Sequence, residues 1–327
     1  MKLLPLLLLT LFHYLHAGSF QLLDDDDNSD VTVPKLPRLS QEKKWEMIRE
    51  SGQDPTSRRR PNKGTRAGRA RRTLDEDAPW RLTRPRQPQA AALPVRPTGP
   101  PRAHSGITVC PPRFDAVIQG SNGHTYLFAG ETVYQSWIEH GLPQKASFPI
   151  SEMFAGGPRS VTAASTNSRS GVTTLFLHRT SYRFRWNEES KRFHIAKNSP
   201  KYMATNITLT PSSAMEWQGH QVLIKGNKFI TYDAYWNLAT FTSETSTYFP
   251  GIPFDFIGVL IDRGPTVLFF TRRNTVQMYD RNKHKVAAEF PVNIADYAGC
   301  MTAEEKKQRE TEERRRRIKE RIAQRGY

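Results

Sequence analysis

A unit of 46–49 residues recurs four times between residues 110 and 300, and self-similarity at a fixed period restricts architecture more tightly than any single motif. With Phe128, Leu177, Ile224 and Phe270 set as equivalent, the separations are 49, 47 and 46 residues. Around each, apolar residues precede the reference position and a turn follows it. An apolar or aromatic residue stands five further on: Val133, Tyr182, Phe229 and, as a polar exception, Thr275. A second shared point lies upstream, at Phe114-Asp115-Ala116-Val117, Val161-Thr162-Ala163-Ala164, Ser213-Ala214-Met215 and Phe254-Asp255-Phe256-Ile257. Asp115, Thr162, Ser213 and Asp255 precede the four reference residues by 13, 15, 11 and 15 positions.

The repeated unit reads as strands. Thr125 to Phe128, Val172 to Leu177, Gln221 to Ile224 and Val267 to Phe270 are short and rich in β-branched and aromatic residues, punctuated by Gly, Asn, Ser and Pro. Two-residue turn signals recur, as at Asn122-Gly123 and Gly226-Asn227. Four such copies match the blade length of an all-β, four-bladed β-propeller. A blade buries its faces only against its neighbours, so closing a ring removes the open edges that one sheet would leave.

Charge sets this block apart from the rest. Of a net +16, residues 35–110 carry +11 (18 Lys/Arg, 7 Asp/Glu), residues 111–302 carry +5, residues 303–327 carry +4 and residues 1–34 carry -4. The N-terminus has Lys2, a leucine-rich run to Phe12 and small residues from Ala17, the order of a secretory signal spanning 1–17 with cleavage at Ala17. Residues 18–109 are basic and, from Pro79, crowded with proline; they bury too little apolar surface to offset ordering entropy and are expected to be disordered. A weak helix from Ser40 to Glu50 would place Trp45 and Ile48 on one side. Residues 301–327 read as a solvated charged helix, with Glu305/Arg309, Glu310/Arg314, Glu312/Arg316 and Glu313/Arg317 spaced i,i+4 and Arg314, Arg315, Arg316 and Arg317 as a polyanion site. No stretch after the N-terminus approaches the length of a membrane span.

Two cysteines exclude a disulfide-dense miniprotein and any four-cysteine zinc site, and secretion makes Cys110 and Cys300 candidates for a disulfide. Asn206-Ile207-Thr208 is the sole glycosylation sequon, in a stretch bounded by Pro200 and Pro211. Arg69-Ala70-Arg71-Arg72 has the form cut by furin-like convertases, with cleavage at Arg72; the alternative is a solvated basic linker.

The copy from Phe114 through Gly123-His124-Thr125-Tyr126-Leu127-Phe128-Ala129-Gly130 to Val133-Tyr134 closely resembles the haemopexin-like repeat. Gln221 to Ile230 resembles its second half, and Phe254-Asp255 with Val267 to Phe270 resembles both halves in part. The second copy departs most, with Thr162 where the family usually has Asp. The resemblance covers residues 110–300 and implies a disulfide between Cys110 and Cys300 that locks first blade to last. It also implies that backbone carbonyls near Asp115, Thr162, Ser213 and Asp255 ring a channel suited to calcium or sodium. The alternative is that Asp115 and Asp255 cap turns at the channel mouth.

The family is familiar as an appendage of matrix metalloproteinases, yet the chain has no His-Glu-x-x-His, no Gly-x-Ser-x-Gly and no phosphate loop, and no enzyme is expected. Haem ligation is the alternative role suggested by the resemblance. His124, His140, His178, His194, His220 and His284 share no obvious face, and His104 in the Pro-rich segment is the one position loosely like a linker ligand. Surface or turn histidines are the simpler reading. The expected function is that of a secreted, non-enzymatic binding glycoprotein. Its propeller would dock an extracellular protein or matrix ligand, and its basic tails would bind sulfated glycosaminoglycans rather than nucleic acid. A haem carrier and a proprotein processed at Arg72 are the alternatives.

Overall fold

The computed structural model describes residues 33–50, 99–104, 109–261, 265–301 and 303–325. Four antiparallel units of four strands follow one another. The first is β1 (Ala116–Gln119), β2 (Thr125–Ala129), β3 (Thr132–Glu139) and β4 (Leu142–Pro149). Helix α1 (Gln41–Glu50) precedes it, while α2 (Ile150–Met153) and β5 (Phe154–Ala155) lead to the second unit. That unit comprises β6 (Ala163–Asn167), β7 (Val172–Leu177), β8 (Thr180–Asn187) and β9 (Arg192–Ile195), with β10 (Lys201–Tyr202) paired to β8. The third is β11 (Ser213–Trp217), β12 (His220–Lys225), β13 (Lys228–Asp233) and β14 (Leu238–Glu244), followed by α3 (Thr245–Tyr248). The fourth is β15 (Phe256–Ile261), β16 (Thr266–Thr271), β17 (Thr275–Asp280) and β18 (Lys285–Pro291), followed by α4 (Ile294–Ala298) and α5 (Ala303–Arg325).

The first strands close a ring: β1 lies against β6, β6 against β11, β11 against β15, and β15 against β1. The last contact is a parallel pairing of Val117 with Gly258 that fuses the first and fourth units into one eight-stranded sheet. A Cβ on Gly258 would overlap the Val117 carbonyl, so the absence of a side chain there lets the two strands meet.

Four apolar clusters fill the four gaps between neighbouring blades. Tyr126 and Phe128 meet Phe154, Phe184 and Phe193 between blades one and two, and Phe176 meets Leu223 and Tyr232 between two and three. Phe229 meets Phe256 and Phe269 between three and four, and Leu127 and Tyr134 meet Ile257 and Phe270 between four and one. A strand such as β2 therefore sends alternate side chains to two different cores, which is why inner strands are apolar on both faces. The outer strands β4 and β18 are largely exposed and carry Lys and Pro, which suits unpaired edges.

The pairing corrects the register read from the repeat. Phe128 faces Ala116, Phe176 faces Ala163, Ile224 faces Ser213 and Phe270 faces Gly258, so the equivalent in the second blade is Phe176, not the half-exposed Leu177. The matching residues on the third strands are Val133, Ser181, Phe229 and Val276, replacing Tyr182 and Thr275. Phe254 does not repeat the role of Phe114: Phe114 is 2% exposed in the core between blades four and one, Phe254 80% exposed.

Cys110 and Cys300 are bonded, with Cα atoms 4.9 Å apart. Beside them Val109 bridges Met301, and the Cys110 N–H donates to the Met301 carbonyl at 2.8 Å. Helix α4 packs on β3 and β4, so blade four's exit is seated on blade one. Asn293 caps α4 by accepting from the Ala295 N–H, and Gly299 ends it in the left-handed conformation.

The expectation of disorder throughout 18–109 needs revision for residues 33–50. Leu36 is buried in the core between blades three and four, Ile48 is 1% exposed, and Trp45 packs edge-on against Trp236 with ring centroids 5.0 Å apart. Lys44 Nζ donates to Asp233 Oδ2 at 3.0 Å. The segment is short of apolar residues, but the few it has sit where the propeller receives them. The signal at 1–17, the cleavage positions Ala17 and Arg72, and the Pro-rich run to residue 98 lie outside the described residues. Among the described residues no helix is long and apolar enough to cross a membrane.

Candidate functional site

The inner strands surround an axial cavity of about 680 Å³. Its walls come from Val117 to Gly120, Ala164 to Thr166, Ala214 to Glu216 and Val259, one stretch from each blade. Gly120, Ala164, Ser165 and Ala214 contribute small groups to these walls, beside the larger Ile118 and Met215. The rim is polar. Ser168, in the turn between β6 and β7 of blade two, donates its N–H and its hydroxyl to the two carboxylate oxygens of Glu216 in blade three, at 2.7 and 2.9 Å.

A second cleft of about 300 Å³ lies between blades two and three, and Gly219 lines both spaces. Lys44, Arg183, Arg185, His220 and Asp233 face it, over a floor that includes Thr174 and Thr231. Burial lowers the His220 imidazole from its usual range, and Arg38, Lys44 and Arg169 lower it further. Burial also pushes the Tyr232 phenol up to about 12, so it stays a neutral donor, bonded to Asn237 Oδ1 at 2.7 Å.

A third grouping sits between blades one and two. The His124 ring stacks on Trp137 with centroids 5.4 Å apart and lies 6.4 Å from Trp186. Each indole N–H donates to a glutamate two residues on, Trp137 to Glu139 and Trp186 to Glu188. Burial is the main cause of a lowered His124 pKa; Glu188 opposes it, Lys191 adds to it and Glu139 opposes it. Trp137 and Trp186 stand 49 positions apart, one repeat, and the repeated Trp-x-Glu was the overlooked signal.

Of the sequence-derived site residues, Asp115, Thr162, Ser213 and Asp255 do not line the axial cavity. Asp115 Oδ2 accepts from the Gly130 N–H, and Thr162 Oγ1 donates to the Phe176 carbonyl, each bracing its own hairpin. In the third blade the corresponding hydroxyl belongs to Ser212, which donates to Ile224, while Ser213 Oγ reaches across to the Phe256 carbonyl. The Asp255 carbonyl accepts from the Arg272 N–H, and its carboxylate pairs with Arg273 at 3.0 Å. These side-chain contacts brace the turns and strands at the four positions. Among the described residues no three His, Cys, Asp or Glu side chains cluster to hold a metal.

Asn206 is exposed in a turn between β10 and β11, anchored by the buried Ile207. Arg314, Arg315, Arg316 and Arg317 are all exposed on α5. The i,i+4 pairs described there, Lys306–Glu310, Arg309–Glu313 and Arg316–Glu320, place the cation first, the reverse of the order read from the sequence. Ser190 Oγ lies 2.7 Å from His194 Nε2 and 2.9 Å from Asn187 Oδ1.

No family model matches the chain. It is 30% identical over 136 residues to matrix metalloproteinase-C of Caenorhabditis elegans, a match covering 41% of this chain and 24% of that protein. The chain thus matches about a quarter of the length of that curated relative. Solved structures similar to it include the hemopexin fold protein CP4 from cow pea, with TM-score 0.46, 16% identity, and coverage of 58% of this chain and 96% of the other. A plant albumin from Cicer arietinum showing hemagglutination gives TM-score 0.45, 13% identity, and coverage of 56% and 94%.

Proposed function

We propose, from the premise that the disulfide-closed middle of this chain is a haemopexin-like propeller, that the protein is a secreted, non-enzymatic binding glycoprotein. The propeller docks an extracellular protein or matrix ligand, and the basic arms add attraction for sulfated glycosaminoglycans. The observation that carries the reading is the contrast between a closed disc, with a core at every blade junction, and an arginine-rich helix exposed along its described length. A rigid disc fixes the geometry of a docking face, whereas a solvated row of guanidinium groups attracts polyanions of varied shape. The Cys110–Cys300 bond suits an oxidising compartment, and the exposed turn at Asn206 suits a glycan. A cut after Arg72 is compatible with this reading, because Leu36 and Ile48 would hold the docked segment in place.

The test is elution of the full-length protein from immobilised heparin, with Arg314, Arg315, Arg316 and Arg317 each replaced by Gln. The salt needed for elution should fall. An unchanged elution point removes the tail from the proposal.

A further inference from the structure

We propose that the cleft between blades two and three is a binding site for a sulfated oligosaccharide, entered from the axial cavity and closed on one side by helix α1. The inference rests on the reading of an extracellular polyanion partner but moves its specific contact from the tail to the propeller.

The two spaces adjoin. Gly219 lines both, and the turn between β6 and β7 gives Ser168 and Arg169 to the axial side and Asn167 and Ser170 to the cleft. Along this track stand Arg169, Arg185, Arg183 and Lys44, against Asp233 in the cleft and Glu216 at the axial rim, where Ser168 caps it. Arg38, Lys44 and Arg169 are the charged neighbours that lower the His220 pKa, after burial. Arg185 is exposed and directs one N–H to the Ser170 carbonyl at 3.1 Å; a guanidinium carries five.

The rest of the lining selects among anions. Asn167, Ser170, Gln221 and Thr240 line it with Thr174 and Thr231 on the floor, a polar surface that suits a hydroxylated ligand, although the Thr231 and Thr240 hydroxyls bond each other and the Gln221 amide donates to Ser165 Oγ. Tyr235, 55% exposed, offers a ring face at the rim, with the Arg183 guanidinium 5.8 Å from its centroid. Besides Val172 and Ala234 the apolar surface of the cleft is that of the Tyr232 and Tyr235 rings, and, Gly219 apart, the remaining lining is polar or charged. Helix α1 completes the wall, because the Lys44–Asp233 pair and the Trp45–Trp236 contact hold Lys44 at the opening. The docked N-terminal segment is therefore part of the site.

The experiment is calorimetric titration of the full-length protein with a fully sulfated heparin hexasaccharide across a salt series. The Arg169→Ala/Arg185→Ala variant should bind roughly tenfold or more weakly and show a shallower salt dependence. Both side chains are exposed, and an unchanged melting temperature verifies the fold. Trp45→Ala, which loosens α1, should weaken binding about threefold through loss of Lys44. The variant with Arg314 to Arg317 replaced should keep its hexasaccharide affinity even where its elution from long-chain heparin falls, which separates this site from the tail. Wild-type affinity in Arg169→Ala/Arg185→Ala, or loss of hexasaccharide binding in the tail variant, overturns the cleft. Displacement by a hexaglutamate peptide at equal concentration overturns the sugar in favour of an acidic peptide.

Discussion

Removing the Cys110–Cys300 bond tests how far the ring depends on covalent closure. The bond spans 190 positions. Loop-closure entropy for a loop of that length gives about 5 kcal/mol of stability, by restricting the unfolded chain rather than by adding native contacts. For a unit of this size each kcal/mol moves the melting temperature by roughly 2–4 °C, so the bond is worth about 10–20 °C. The native ends are also held without it, through the Cys110–Met301 hydrogen bond and the seating of α4 on blade one. The reduced protein should therefore still fold, with the same strands, and melt earlier. Calorimetry of the oxidised protein, of the same protein in reductant, and of Cys110→Ala/Cys300→Ala separates bond from packing. Cys300 is buried beside Phe114 and Phe270, and its truncation adds about 1 kcal/mol of lost burial that reduction alone does not. A reduced protein melting within about 3 °C of the oxidised one would refute the argument that the long loop is the source of stability.

Three further outcomes are expected. Gly258→Ala should lower stability by about 3 kcal/mol or more, measured by chemical denaturation, because the new Cβ meets the Val117 backbone, with the carbonyl carbon only 2.6 Å away; Gly99→Ala, with nothing near, should be neutral. His124 and His220 have folded-state pKa values below the ordinary 6.5, so between that value and the folded one the unfolded chain binds more protons. Stability should be fully present above pH 6.5 and decline as pH falls below it, and His124→Gln should flatten the decline in pH-dependent melts. Asn206→Gln should remove one glycan's mass from the secreted protein with little change in melting temperature, since the side chain is exposed; an unchanged mass excludes glycosylation there.

The propeller was legible because its signals are local. Strand-forming runs, turns and period lie in consecutive residues, and a closed ring is the arrangement that buries both faces of inner strands such as β2 and β7. Register was less legible. Alternate residues of a strand point to opposite sides, so a one-residue slip exchanges the buried Phe176 for the half-exposed Leu177, and the β16–β17 turn is one residue longer than its counterparts, which moves the match from Thr275 to Val276. The docking of residues 33–50 was nearly invisible, since Leu36, Trp45 and Ile48 make no periodic pattern over the segment and gain their burial from residues such as Met215, Phe249 and Trp236.

The amino-acid order alone thus determined the repeated strands, the pair of cysteines flanking them and the basic character of both arms, because each is a property of neighbours along the chain. The tertiary structure decided which side chains share a space. Lys44, Arg169, Arg185, His220 and Asp233 come from three separate stretches of sequence and meet because the ring brings blade three beside blade two and the N-terminal segment docks on blade three. A charge's place in the sequence says little about the field it joins; that field depends on distances that exist after the blades have packed.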